Sequence, residues 1–338
     1  MAKTIMFVPG DIGGCGYYRN FQIMNNSILT NNKNIRPMFY GISKLQNEGQ
    51  DITFTQRVVS EEGFERMKEY KKQFGKEHKL IIDYDDLVWY NGKLHNYNVF
   101  LNKYDMKKNY ESMKKNLSTV ADLVTVSCEE LKKNISEFYD ENKIVVIPNM
   151  LSMNDWLFDR TTYIPNDDIF FYAGSISHYN NEKKQYGDFS IPFANYIAKQ
   201  KTLFMGDTPP WFMTPLQSYK WVDLSKYAKA LYQNTRYAKF TIAPLTENYF
   251  NKCKSDLKYL ESCAIGRVCL VFDFPGSPYT NAHKLQKIPV NASIKDIEQI
   301  VKQCKENYAE ILDYQYEYLN KRWLDFNMYQ YDAVFNLV

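Results

Sequence analysis

The feature that most constrains this chain is a repeated alternation. A short apolar run is followed by a turn rich in Gly, Pro, Asp or Asn, and then by a stretch with helical spacing. Residues 4–8 are the first such run; behind them come the loop Gly10-Asp11-Ile12-Gly13-Gly14-Cys15-Gly16 and a helical stretch over 17–29. Residues 35–40 read as a strand, and Phe64, Met67, Tyr70 and Phe74 mark a helix over 61–77. Residues 80–85 read as a buried strand closing on carboxylates, 123–126 as another, and 143–147 as one that stops at Pro148-Asn149. Between the last two, Ser127-Cys128-Glu129-Glu130 reads as a capping box, with Ser127 capping a helix and Glu130 reaching back.

Residues 151–168 are polar, weakly periodic and hold Pro165, so a domain boundary is expected there. A second alternating set follows, with strands at 169–173, 202–205, 240–243 and 268–272 and helices at 192–201, 254–265 and 294–312. The aromatic-rich tail over 316–337 reads as one or two further helices. Strands alternating with helices specify α/β architecture with parallel sheets and crossover helices. A chain of 338 residues holds two such domains. In open parallel sheets ligands sit outside the carboxyl ends of the strands. The Gly-rich loop, Asp83 to Asp86, Ser127 and Asn149 all fall at such ends.

Composition narrows the function classes. The balance of 42 basic and 39 acidic residues, net +3, neither demands nor excludes a nucleic-acid partner. The pairs Lys71-Lys72, Lys107-Lys108, Lys114-Lys115 and Lys183-Lys184 are scattered and read as solvated helix faces. No apolar stretch approaches the ~20 residues of a membrane span, and the start is too short for a secretory signal, so a cytoplasmic protein without membrane insertion is expected. Six cysteines show no Cys-x-x-Cys pair and no His at metal spacing; reduced thiols and no metal or cofactor are expected. The wealth of Lys, Asn, Tyr and Ile fits an AT-rich genome, such as that of a phage or a low-GC bacterium.

Three stretches carry chemistry. In the first, a strand ends at Ala243-Pro244-Leu245 and a helix starts near Asn251. At helical pitch Lys254, Lys258 and Glu261 share a stripe beside Leu257, Leu260 and Ala264. Two lysines at a helix N-terminus suit a diphosphate, and a carboxylate two turns on suits a ribose diol. An ordinary amphipathic helix with an exposed Lys254–Lys258 face accounts for the spacing equally well. The second stretch is Gly13-Gly14-Cys15-Gly16-Tyr17-Tyr18-Arg19, where glycines admit a ligand to the backbone and Arg19 is placed to neutralise a phosphate. Arg at position 19 breaks a dinucleotide fingerprint, and a plain strand-to-helix turn is the alternative. The third is Asp83-Tyr84-Asp85-Asp86, where Asp85 or Asp86 could orient or deprotonate a hydroxyl, or simply cap a helix. His78, His95 and His283 have no visible catalytic partners.

These stretches, taken in order, resemble the retaining GT-B glycosyltransferases, in particular those grouped with family four. The likeness rests on Ala243-Pro244-Leu245, Lys254-Ser255 with Lys258 and Glu261, and Ala264-Ile265-Gly266. It extends to Ala121 through Leu131, Val146-Ile147-Pro148-Asn149, and Phe170 through Ser175 with His178. It implies two Rossmann-like domains facing a central cleft: an acceptor domain at 1–158, a nucleotide-sugar domain at 159–318, and a helix at 319–338 crossing back to the first. It implies that Lys254, Ser255 and Lys258 hold the donor diphosphate and Glu261 the ribose. Gly174, Ser175 and His178 would line the loop over the nucleotide, with Gly14 and Cys15 opposite. Asp85, Arg19 and Lys254 become the expected catalytic groups, and Tyr17, Tyr18, Asp83 and Asp86 the expected acceptor contacts. Cys253 departs from the pattern: many family members carry a glutamate there, eight residues before the ribose glutamate.

The expected reaction is transfer of a sugar from a nucleoside diphosphate, a UDP-sugar, to a hydroxyl, with retention. The Gly-Gly-Cys-Gly-Tyr-Tyr-Arg loop and the Asp-x-Asp-Asp stretch look like those of phage enzymes that decorate hydroxymethylated pyrimidines such as 5-hydroxymethylcytosine. Double-stranded DNA bearing such bases is therefore an expected partner. A cell-surface glycan acceptor, a non-catalytic nucleotide-sugar or nucleic-acid-binding module, and an epimerase of the same fold stay open.

Overall fold

The computed structural model describes residues 2–11, 13–39, 50–89, 105–158, 165, 167–175, 178 and 187–338. His95 and the pair Lys183-Lys184 lie outside these residues, as does part of the expected boundary at 151–168.

Two six-stranded, all-parallel sheets organise the chain. The first has the order β2-β1-β3-β4-β5-β6, from β1 (Lys3–Val8), β2 (Ile35–Phe39), β3 (Ile52–Gln56), β4 (Lys79–Tyr84), β5 (Leu123–Val126) and β6 (Ile144–Val146). The second has the order β12-β11-β10-β7-β8-β9, from β7 (Phe170–Gly174), β8 (Thr202–Gly206), β9 (Gln217–Tyr219), β10 (Phe240–Ala243), β11 (Val268–Asp273) and β12 (Lys287–Pro289). Helices cover both faces of each sheet, so β3, β5 and β10 are buried along their whole length. Each order reverses once, at β1 against β3 and at β7 against β10. Such switch points open a crevice at the strand ends.

The helices bearing on the site are α1 (Gly14–Gly16), a π-helical turn (Tyr17–Phe21) and α2 (Gln22–Leu29) in the first lobe. With them go α3 (Glu61–Phe74), α4 (Met106–Val120) and α5 (Glu129–Ile135), then α6 (Met153–Trp156) between the sheets. The second lobe has α7 (Ile191–Ile197), α8 (Leu224–Asn234), α9 (Tyr249–Lys252), α10 (Leu257–Ala264), α11 (Ile294–Glu306) and α12 (Tyr308–Asn320). The last helix, α13 (Leu324–Asn336), lies on the first sheet, where Phe335 meets Phe7 and Phe54 edge-on and Lys3 Nζ donates to the carbonyls of Phe335 and Val338. The two chain passages between the lobes are tied together: Leu151 N donates to Arg322 O at 3.1 Å and Leu324 N to Leu151 O at 2.9 Å.

Three sequence expectations need correction, and some elements were not anticipated. The helix expected over 254–265 starts only at Leu257; a separate short helix, α9, capped by Asn248, precedes it, and the chain turns between the two. The helix expected over 294–312 breaks at Asn307. The capping box at Ser127 does not form: Cys128 is the N-cap, and Ser127 Oγ donates to Asp85 O at 3.0 Å. The unpredicted strand β3 and helix α4 hide their periodicity behind buried polar groups. Thr53 pairs with His78 and Asn109 donates to Val88 O, so polar side chains stand where apolar ones were sought.

Candidate functional site

The first lobe presents a set of charges already bound to one another. The π-helical turn buries Tyr17, Tyr18, Arg19 and Asn20 together. Arg19 Nη2 and Nε hold Asp83 at 2.6 and 3.0 Å, and Nη1 donates to Ile147 O at 2.6 Å and to Asn149 Oδ1 at 3.2 Å. Both side chains are 0% exposed, and Thr125 Oγ1 donates to Asp83 as well. Arg19 is therefore a buried tie between the ends of β4, β5 and β6, and neither a phosphate nor an acceptor reaches the Arg19–Asp83 pair. Asp85 is likewise engaged. Its Oδ1 accepts from Arg57 Nε at 2.7 Å and from Gln56 at 2.9 Å, and its Oδ2 from Arg57 Nη2 at 3.1 Å. Burial raises its carboxyl, but Arg57 and Cys15 outweigh burial and hold it below the usual range. A saturated, acidic carboxylate is a poor proton acceptor, so the expected catalytic roles of Asp85 and Arg19 give way to structural ones.

Arg57, overlooked in the sequence because β3 was, organises this edge. Its φ of 56° is left-handed, an uncommon conformation for a non-glycine residue. Its Nη2 also reaches Cys15 Sγ at 2.8 Å, and burial pushes the Cys15 thiol up. In the Gly-rich loop, Asp11 Oδ1 accepts from the amides of Gly13 at 2.8 Å and Gly16 at 3.0 Å. A Cβ on Gly16 would sit 1.9 Å from Asp11 O, which is why glycine is needed there; Gly14 faces open space. Gly14 is thus exposed, while the amides of Gly13 and Gly16 are turned onto Asp11.

The second lobe presents cations. Lys258 on α10 is half-buried; its Nζ donates to Ala173 O and lies 5.1 Å over the Tyr172 ring. Burial lowers its pKa, with Glu261 opposing and Lys254 adding to the fall. Lys254 stands between α9 and α10, so it joins Lys258 through the turn and not through a helical stripe. Its Nζ lies 4.5 Å over Phe250 and 3.7 Å from Asp86 Oδ2 of the first lobe. Ser255 Oγ accepts from Asn149 Nδ2 at 2.8 Å, also across the lobes. The N-terminus of α10 lies behind Asp256, whose carboxylate is committed to Arg322 at 2.9 and 3.0 Å. Gly174 ends β7, where a Cβ would strike Tyr172 at 2.3 Å. Ser175 O accepts from His178 N at 3.0 Å, and His178 Nδ1 lies 2.7 Å from Asp188 Oδ2.

Glu261 is buried beside Lys258, but its oxygens are occupied by tyrosines: Tyr18 Oη donates at 2.6 Å and Tyr227 Oη at 3.3 Å. Tyr18 is therefore an interlobe contact to the carboxylate expected for ribose and does not face an acceptor. Tyr17 donates to Asp155 and borders a cleft of about 770 Å³ between α2, α6 and α8. None of Lys254, Lys258 or His178 lines that cleft. The space beside Lys258 and Glu261 is about 20 Å³, room for one water.

Cys253 is 0% exposed and packs with Phe250 into the first-lobe core. Its carbonyl accepts from Cys128 Sγ at 3.4 Å. A glutamate at 253 would be buried in this interlobe contact, which gives the departure from the family pattern a packing reason. Asp188 and Tyr227 are neighbours of this set that sequence reading missed; neither carries a motif, and only the folded chain brings Asp188 near Lys254 and Lys258 and Tyr227 to Glu261.

No family model matches the sequence, and no curated protein matches it. Among the described residues no group of three or more His, Cys, Asp or Glu is placed to hold a metal, and no helix is long and apolar enough to cross a membrane. Solved structures do match, along nearly their full lengths. A glycosyltransferase from Rickettsia africae ESF-5 superposes with a TM-score of 0.63 at 13% identity, over 99% of this chain and 98% of that one. An alpha-glucosyltransferase in complex with UDP-glucose and DNA containing an abasic site gives 0.59 at 12%, over 98% and 99%. The lipopolysaccharide outer core galactosyltransferase WaaB, in its apo form, gives 0.59 at 14%, over 99% and 100%. At such identities the likeness is one of architecture, and with the two switch-point crevices described above it establishes that this chain has the GT-B fold.

Proposed function

We propose that the protein is a glycosyltransferase that takes a sugar from a nucleoside diphosphate, a UDP-sugar, and passes it to a hydroxyl. The observation that carries this reading is the pair Lys254 and Lys258. The second lobe brings both to the interlobe crevice at the switch point of its sheet, and Lys254 Nζ lies 3.7 Å from Asp86 across it. A leaving diphosphate gains negative charge as the glycosidic bond breaks. Two ammonium groups in a crevice shielded from water stabilise that charge where it develops. Lys258 meets a carbonyl and a ring face, so an arriving phosphate need not break a tight carboxylate pair there. Glu261 is the ribose acceptor of this reading, released by Tyr18 as donor enters. Asp86, less enclosed than Asp83 or Asp85, is the first-lobe carboxylate nearest the reacting groups.

The acceptor we propose is a 5-hydroxymethyl pyrimidine in DNA, with retention at the anomeric carbon. The neighbour solved with UDP-glucose and DNA supports this choice, as do the loop and acidic stretch singled out in the sequence. A surface glycan is the second reading, supported by the comparably similar lipopolysaccharide galactosyltransferase. The test is mass spectrometry after incubation with a panel of nucleotide sugars and either hydroxymethylated or plain DNA. A hexose or pentose increment on the modified base alone is the expected result. No increment on either DNA, with transfer to a glycan acceptor, would move the assignment to the second reading.

A further inference from the structure

His178 and Asp188 meet through both backbone and side chain, beside the two lysines. Asp188 N donates to His178 O at 3.1 Å, and His178 Nδ1 meets Asp188 Oδ2 at 2.7 Å. Asp188 is itself buried and anchored, its Oδ1 accepting from Asn251 Nδ2 at 2.9 Å. A carboxylate at Nδ1 puts the ring proton there and leaves Nε2, on the opposite edge, as the proton-accepting atom. The imidazole stands edge-on to the Tyr172 ring, 6.5 Å between centroids, and Lys258 Nζ lies over the same ring. Its side chain keeps 16% of its surface exposed.

We propose that His178 is a proton-coupled third cation of the diphosphate site: neutral while the site is empty, it takes a proton at Nε2 when the diphosphate arrives beside Lys254 and Lys258, with Asp188 as its positioning carboxylate. This rests on the donor reading above and goes beyond it. Burial holds the imidazole well below its usual range, and Lys258 and Lys254 push it lower. A diphosphate carries the charge that cancels that push. Burial in turn raises Asp188 to about 6, against the pull of Lys254, Asn251 and Lys258. Among the described residues, the charged and titratable groups around the ring are Asp188 at Nδ1, Lys254 and Lys258 from the second-lobe turn and α10, and the Tyr172 phenol from β7. Glu261 acts through Lys258, Asp86 through Lys254, and the buried Tyr279 phenol through Asp188. In the loaded site three cations face the two charges of a diphosphate diester and the one of Asp188.

The sign follows by linkage. A ligand that raises a group's pKa binds its protonated form better, so affinity falls as pH rises. The fall is about tenfold per pH unit between the free and bound pKa values of His178, and flat outside them. UDP-glucose is the probe, because its diphosphate diester keeps a constant charge across that range. Calorimetric titration in two buffers of different protonation enthalpy counts the protons. Wild type should take up about one proton per UDP-glucose near neutral pH. His178→Gln should bind more weakly and take up none, and Asp188→Asn should keep the imidazole but lose most of the uptake. Binding by wild type with a flat pH dependence and no proton uptake, or equal uptake in His178→Gln, overturns this inference and leaves the donor site standing. If UDP-glucose, ADP-glucose and GDP-mannose all fail to bind wild type, the donor reading falls and this inference with it. Should His178→Gln not fold, the pH dependence of the wild type and the Asp188→Asn variant decide the matter alone.

Discussion

The two sides of the crevice use charge in opposite ways. On the first-lobe side, guanidinium and carboxylate are matched at 2.6 to 3.1 Å, Arg19 with Asp83 and Arg57 with Asp85. On the second-lobe side, Lys258 rests on a carbonyl and a ring, and the nearest carboxylate to Lys254 is 3.7 Å away. Charges matched within a lobe hold strand ends in register and have little left for a ligand. Cations without a tight counter-charge are costly when the site is empty, and that cost is relieved by an anion. The difference assigns scaffold work to the first set and ligand work to the second, although their residue types look alike in the sequence.

The largest break in this comparison should come from Arg19→Ala. Leaving Asp83 buried and unpaired costs about 3–5 kcal/mol, read as a shift in the urea midpoint. If the variant is as stable as wild type, the pair is not the scaffold described. Lys258→Met keeps volume and removes charge. It should lower kcat/KM by about 100- to 1000-fold while the urea midpoint moves little. Near-normal turnover would remove Lys258 from the diphosphate site. Lys254→Ala, at a more open position, should weaken nucleotide-sugar binding by about tenfold, or 1.4 kcal/mol. A stability loss with unchanged affinity would place Lys254 with the scaffold, as the partner of Asp86.

Tyr18→Phe tests how the crevice opens. It should cost about 1 kcal/mol of stability through the lost bond to Glu261, yet tighten donor binding because the ribose no longer competes with a phenol. Weaker binding would mean that Tyr18 stays on Glu261 in the loaded state. The smallest effect concerns acid. The Asp85 pKa is depressed below its ordinary 3.8, so its contribution to stability is fully present above that value and is lost as pH falls through the depressed one. Asp85→Asn should flatten that part of the acid unfolding curve, and an unchanged curve would argue that Arg57 does not hold it ionised.

Much of the fold was legible because period and punctuation survive in one dimension. The strands at 80–85, 123–126, 240–243 and 268–272 are apolar runs closed by turn residues, and they pair in parallel as expected. Strand β3 was illegible because Thr53, Thr55 and Gln56 are buried polar residues, and alternation of polarity no longer marks burial there. Lys254, Ser255, Lys258 and Glu261 were legible as a group. That a turn and not a helix joins Lys254 to Lys258 was not, because the turn depends on Asp256 meeting Arg322, 66 residues away.

By itself the sequence determined the α/β alternation, its division into two sets, and the stretches of loop that end at the strands' carboxyl edges. These depend on local spacing and turn chemistry, which a linear reading contains. Only the tertiary structure decided which charges are spent and which are available. Arg19 and Lys258 are both cations near a crevice, but one meets a carboxylate 64 residues away and the other a backbone carbonyl 85 residues away. Counter-charge and burial are properties of neighbours in space, and the sequence does not state who those neighbours are.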